Sequence, residues 1–300
     1  MTFQTRHLDV QFALAADNPN GATFASGGNL LTLTGLRAAA QLDTRLGDSP
    51  NVLTCQIYGM RQEDMNRLDT IGQKIMESKK NIVRLFTRSG NETQALAFEG
   101  TIANASVDYA RMPEVCIQVD AFAAFTEAGR AIAVNSYKGS TDVASVVEAL
   151  AKSIGFAFTN NGVTAKLASP YLSGSAIKQI RDVCKAAGVF YDIHNGSVDI
   201  WAAGVNRDNL TFLLSPETGL IGYPEFDAVG LKIKCEYNPD IILGRRIQVK
   251  KLHPSGQRHI HRPHRSARAC CRDTRRPLVH LRAAGAGEYE CPPPLMTVFP

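Results

Sequence analysis

Between residues 230 and 250 the sequence twice alternates apolar and charged side chains with a period of two. Gly230-Leu231-Lys232-Ile233-Lys234-Cys235 sets Leu231, Ile233 and Cys235 against Lys232 and Lys234. After Asn238-Pro239, Ile247 and Val249 oppose Arg246, Gln248 and Lys250. Such a pattern fits a strand with one wet and one buried face and does not fit a helix. Just upstream, Ser215-Pro216-Glu217-Thr218-Gly219 and Gly222-Tyr223-Pro224 are turn signals, because proline presets φ and glycine permits φ > 0. The expectation for 214–250 is a pair of strands on a proline-bearing connection, as at the rim of a small β-barrel.

The same alternation opens the chain, where Leu8, Val10, Phe12 and Leu14 oppose Asp9 and Gln11. Further strands are expected at 31–44, 52–59, 81–88, 94–105 and 114–125. Between them Arg61–Ile71 switches to helical spacing, with Met65, Leu68 and Ile71 on one side and Gly72 closing it. Residues 1–135 therefore predict an antiparallel β-barrel with one short helix. At Ser136 the pattern changes. Thr141-Asp142 can cap a helix with Val143, Val146, Val147, Leu150 and Ile154 on one face, and Gly155 beyond its end. A second helix fits Ser175–Ala187, with Ile177, Ile180, Val183 and Cys184 inward and Gly188 as terminator. Val189–Ile193, the turn His194-Asn195-Gly196 and Ser197–Ala202 form an Asn-Gly hairpin. The predicted fold class is α+β and mainly β. Its parts are a barrel domain at 1–135, an α+β insert at 136–204, returning strands at 205–250 and a tail at 251–300.

Composition separates the tail from the rest. Residues 1–250 hold 24 basic and 25 acidic side chains, whereas 251–300 hold 9 and 3, with five of the seven histidines and seven of the fourteen prolines. The tail has almost no periodic apolar pattern and reads as irregular: disordered, or translated out of frame. Apolar content of 44% suits a soluble globular protein. No apolar run is long enough for a membrane helix, and the first residues lack the apolar core of a signal peptide. Seven cysteines without framework spacing favour reduced thiols.

Chemistry-bearing motifs are missing from 1–250. No G-x-S-x-G elbow, H-E-x-x-H or phosphate-binding loop occurs. Glu63 and Asp64 are adjacent on a helix and diverge by about 100°, so they read as a solvated face. Gly27-Gly28 precedes no capped helix. His194 reads as an exposed turn residue, and Trp201, the one tryptophan, as packing. In the tail, His253, His259, His261, His264, Cys270 and Cys271 lack zinc-ligand spacing. Its arginines lack an aromatic stacking platform for nucleic acid. No catalytic, cofactor-binding or metal residue is assigned, and no cofactor is expected. A chain of this kind works by surface shape.

The wording of several segments carries a resemblance. "LTLTGLRAAAQLD" (31–43), "CQIYGMRQEDMNRLDTIG" (55–72), "IWAAGVNRD" (200–208), "SPETGLIGYP" and "I-x-x-G-R-R-I-x-V" (241–249) resemble bacteriophage baseplate hub proteins over roughly residues 1–250. The resemblance implies a structural virion protein of the tail baseplate, assembled in the host cytoplasm. It further implies a homotrimeric ring of tail-tube-like β domains, with the tail tube protein on one side and a spike protein on the other. Neither a specific nucleic acid nor an integral membrane segment is implied. Two other classes stay open at this point. One is a tail-associated peptidoglycan-degrading enzyme; the other is a basic nucleic-acid-binding protein acting through the tail.

Overall fold

The alternating segments of the first half become strands of one sheet. The computed structural model describes residues 6–16, 18, 20–44, 49–70, 81–89, 93–110, 112–227, 230–250, 267–270, 278–283 and 298–299. In chain order the first elements are β1 (Arg6–Ala13), β2 (Leu30–Leu33), β3 (Ala38–Asp43), β4 (Val52–Tyr58), α1 (Gln62–Leu68), β5 (Ile82–Ser89), β6 (Ala95–Asp108) and β7 (Cys116–Phe122). The seven strands order as β2-β1-β5-β6-β7-β4-β3, and every neighbouring pair is antiparallel.

Among the described residues the first sheet does not close into the expected barrel. β2 and β3 end the sheet at opposite edges and are not hydrogen-bonded to each other, so the sheet stays open. Alternation reads alike in an open sheet and a barrel; only the pairing of edge strands separates them, and period two says nothing of that. The strand expected at 31–44 also divides. Gly35, at φ 71°, takes a conformation that interrupts an extended run, and the chain leaves β2 to enter β3 on the far edge.

β6 joins the two wings of this sheet. Ala95–Thr101 pairs with β5, whereas Thr101–Asp108 pairs with β7, with register shifts at Leu85/Phe86 and Ile102/Asn104. The strand changes partner beside Gly100. A Cβ there would lie 2.5 Å from Phe98 Cζ and 2.8 Å from the Phe122 carbonyl oxygen. Only a residue without a side chain lets the backbones approach so closely at this bend.

α1 is shorter than its spacing predicts, and Ile71, expected on its apolar face, lies outside the described residues. Met65 and Leu68 are buried as expected. Asp64 is also buried, contrary to the solvated face expected of it: its Oδ1 accepts from the Ala25 backbone N–H at 2.8 Å. Asn18 and Asn20 donate to the carbonyls of Arg67 and Asp69, which ties the preceding loop to the end of the helix.

The middle of the chain comprises α2 (Phe125–Gly129), β8 (Asn135–Ser136), β9 (Ser140–Asp142), α3 (Val143–Ser153), β10 (Ala157–Asn161), β11 (Lys166–Ala168), β12 (Tyr171–Leu172), α4 (Ala176–Ala187), β13 (Val189–His194) and β14 (Ser197–Ala202). Both helices start where their caps predict. Asp142 Oδ2 accepts from Ser145 N at 3.0 Å, and Ser175 Oγ accepts from Lys178 N at 3.3 Å. Gly188, at φ 63°, ends α4 in the left-handed conformation. Val143, Val146, Val147 and Leu150 of α3 pack with Ile180, Val183 and Cys184 of α4 over the sheet β10-β14-β13. The hairpin closes at Asn195 and Gly196, both at positive φ, as Asn-Gly requires.

The final elements are β15 (Thr211–Leu214), β16 (Leu220–Asp227), β17 (Gly230–Glu236), β18 (Arg246–Val249), β19 (Ala267–Cys270), β20 (Leu278–Ala283) and β21 (Val298–Phe299). β15 lies parallel to β18, and the others order as β16-β17-β19-β20-β21. The tail thus supplies three short strands that its composition does not foretell. Leu231, Ile233, Cys235 and Ile247 are buried, as their alternation predicts. They join the apolar cluster of the first sheet, along with Leu214 and Ile241. Cys55, Cys116 and Cys184 are free thiols as expected, whereas Cys235 is disulfide-bonded.

Candidate functional site

Buried apolar side chains collect into two clusters. One spans the first sheet and the strands after Leu214; the other spans α3, α4 and the sheet beneath them. Trp201 and Leu243 are buried but belong to neither. Around them runs a seam of polar groups.

Arg207 stands at its centre and is almost fully buried. Its Nη1 donates to Asp192 Oδ2 at 3.1 Å and to the Leu243 carbonyl at 3.2 Å; its Nη2 pairs with Asp199 Oδ2. The guanidinium carbon lies 5.6 Å from the Trp201 ring centroid, and the Arg207 backbone N–H donates to Gly244 O at 2.8 Å. Gly244 has to be glycine in this position: φ is 84°, and a Cβ would meet Arg207 Cβ at 2.8 Å and Trp201 Cζ2 at 2.9 Å. From the first sheet, Asn51 Nδ2 donates to Asp192 Oδ1 at 3.1 Å and to Ile193 O at 3.0 Å. One guanidinium therefore gathers three distant stretches of chain.

His194, expected to be an exposed turn residue, borders this seam. Its Nε2 lies 3.3 Å from Arg207 Nη2 and its Nδ1 lies 3.2 Å from Asp192 Oδ2, the latter out of line for a hydrogen bond. Burial pushes the Asp192 carboxyl upward, but the adjoining His194 ring, the Arg207 charge and the Asn51 amide together outweigh it and hold the group below its usual range. Next in the turn, Asn195 Oδ1 accepts from Glu99 N at 2.8 Å and its Nδ2 donates to Leu96 O at 3.4 Å. That amide satisfies the stretch of β6 which pairs with β5 alone, so a side chain caps an otherwise open strand edge.

Packing is confirmed for Trp201, which is fully buried with Phe190 tilted against it at 6.2 Å. Gly27 and Gly28 lie in an exposed loop. The tail residues considered as metal ligands have no described side chains. Among the described residues, no group of three or more His, Cys, Asp or Glu side chains could hold a metal ion, and no helix is long and apolar enough to cross a membrane. The seam's geometry is that of a joint: the Arg207 and Asn51 donors go to carboxylates and carbonyls within it. Arg207 and Asp199 were legible only as ordinary charges, because nothing in sequence spacing brings positions 51, 192, 199, 207 and 243 together.

No curated protein matches the chain by sequence. By fold, the chain is similar to the c3393 protein of E. coli, a component of the type VI secretion system described as structurally similar to T4 bacteriophage tail proteins gp27 and gp5. The two are 12% identical with a TM-score of 0.50, over 89% of this chain and 74% of that one. It is also similar to the 43 kDa tail protein of prophage MuSo2 from Shewanella oneidensis, at 9% identity and a TM-score of 0.49, over 98% of this chain and 96% of that. A tail protein from Neisseria meningitidis MC58 stands at 8% and 0.49, with the same coverage of both chains. A family model described as baseplate hub gp41 matches residues 55–255, which is more than half the sequence and includes the seam residues Asp192, Asp199, Arg207 and Leu243. The chain belongs to the baseplate hub gp41 family, a structural, non-catalytic class of bacteriophage and prophage tail proteins.

Proposed function

We propose that this baseplate hub protein forms a homotrimeric ring that joins the tail tube protein to a central spike protein, and that it is assembled in the host cytoplasm. Residues 1–135 and 205–250 carry the ring-forming, tube-like part, and 136–204 form a peripheral insert. The observation that carries this reading is the open first sheet. β2 and β3 each pair with a single neighbour in the ladder among the described residues, and Leu30 on β2 is about half exposed. An exposed ladder edge such as that of β2 invites pairing with another chain, and an edge met by a different surface of the next copy makes a heterologous contact that closes on itself as a ring; β3, at the other edge, lies against β21. The packing of Leu214, Ile233 and Ile241 with the first sheet supports one ring-forming body built from both ends of 1–250.

Residues 251–300 are proposed to be out of frame. The family match stops at residue 255, close to where the composition changes. Light-scattering chromatography of the full chain, beside residues 1–250, tests the ring. A mass near three subunits supports it. A monomer for both proteins, persisting after resequencing and restoring the gene's frame, overturns it.

A further inference from the structure

The contact between the two apolar clusters carries buried polar groups around Trp201 and Leu243. Asn51, Asp192, Asp199 and Arg207 are all under a tenth exposed. Each belongs to the seam between the two clusters. Joints between packed bodies that rely on polar contacts permit relative motion far more readily than apolar ones do. Buried ion pairs fix one arrangement and also give it up abruptly, since losing either partner strands the other in a low dielectric. A further cost is built in. The Trp201 indole N–H is buried without a hydrogen-bond partner, and an unsatisfied buried donor favours any arrangement that lets it reach water. Gly204, at φ 79°, lies two residues past the end of β14, between the hairpin and Arg207.

We propose that the Arg207 cluster is a releasable lock: Arg207 ties the β13–β14 hairpin of the α3–α4 body to the Leu243–Gly244 stretch and holds Asp192 in place for the Asn51 amide of the first sheet, and the body swings away from that stretch when Arg207 loses its carboxylate partners. Among the described residues, the charged groups that face the guanidinium are Asp192 and Asp199, with the His194 ring beside them. Asp192 on β13 meets Arg207, His194 and the Asn51 amide; Asp199 on β14 meets Arg207 and the Ser197 hydroxyl at 3.0 Å. Neutralising the carboxylates leaves Arg207 buried without a counter-charge. The lock then opens, while the apolar packing of α3 on α4 stays intact.

Trp201 is the chain's one tryptophan and sits under the guanidinium, so the protein carries its own reporter. The test uses full-length protein, acrylamide quenching of tryptophan emission and the far-ultraviolet helical signal. In Arg207→Gln the quenching constant is expected to rise several-fold with a red shift in emission, while the helical signal is retained. In Asp208→Asn, which breaks the neighbouring Arg245–Asp208 pair at 2.7 Å, Trp201 is expected to remain shielded. Acid titration of the unaltered protein gives the same reading without a substitution: Trp201 becomes quenchable at a higher pH than that at which the helical signal falls. The proposal is overturned if Trp201 in Arg207→Gln is as shielded as in the parent. It is equally overturned if exposure and loss of helix coincide in the acid titration, since the seam would then be ordinary core.

Discussion

Arg207 Nη1 lies 3.1 Å from Asp192 Oδ2, with both side chains nearly excluded from solvent. Their partners come from three regions: Asn51 at the start of β4, Asp199 on β14, and the carbonyl of Leu243 ahead of β18. Removing one partner of a buried pair costs about 3–5 kcal/mol, because the remaining charge is left without compensation. Asp192→Asn is therefore expected to lower the unfolding free energy, read from urea denaturation, by an amount in that range. An effect within a few tenths of a kcal/mol, the size of most surface substitutions, would mean that water reaches the seam.

The same carboxylate gives the acid limb of stability a definite sign. Asp192 is held below its ordinary value of 3.8, so the folded state binds fewer protons than the unfolded one in that region. Its contribution is complete above the ordinary value and disappears as pH falls through the lowered one. Urea midpoints measured at successively lower pH should drop along that limb in the parent and flatten in Asp192→Asn. Parallel curves for the two proteins would remove Asp192 from the account.

Gly100 and Gly129 make a matched pair. A Cβ at Gly100 collides with the Phe98 ring and the Phe122 carbonyl, whereas one at Gly129, the last residue of α2, meets nothing within 4 Å. Gly100→Ala is expected to destabilise by about 1–3 kcal/mol, as overpacking does. Gly129→Ala should be neutral or stabilise by about 0.4–1 kcal/mol, through the lost entropy of the unfolded chain. Thermal denaturation of both variants checks the contrast. Equal shifts would show that the β6 bend can relax.

Two thiols should behave as inert core atoms. Burial pushes Cys55 up to about 12, with the Asp120 charge adding to it, and burial alone takes Cys184 to about 12. Iodoacetamide reacts with thiolates, so near pH 8 neither is expected to be alkylated in the folded protein. Both should be labelled in urea. Peptide mass spectrometry reads the difference, and rapid labelling of either residue without denaturant would contradict its burial.

What the sequence shows and what it conceals divide along a physical line. Local patterns decided local structure: Asp142 and Ser175 cap their helices, Asn195-Gly196 turns the hairpin, and Leu231, Ile233 and Cys235 face inward. Edge pairing escaped, because period two is blind to whether β2 ever meets β3. Gly35 was read through as strand, although its positive φ divides β2 from β3. Helical spacing points Asp64 to solvent, since its partner, the Ala25 amide, is 39 residues away in sequence. The seam escaped for the same reason at larger scale. His194 and Trp201 are each ordinary when taken alone, and Arg207, which touches both, sits in a loop with no periodicity to mark it.

β6 has one more consequence. The left wing of the sheet hangs on its first half and the right wing on its second. Tension between the outer strands cannot be relieved by sliding one ladder along another at that point; it passes along covalent backbone through residues 100–102. A tail protein strained from its rim would stretch at its hydrogen-bonded ladders first, and would keep its two halves in register for as long as that short piece of chain held.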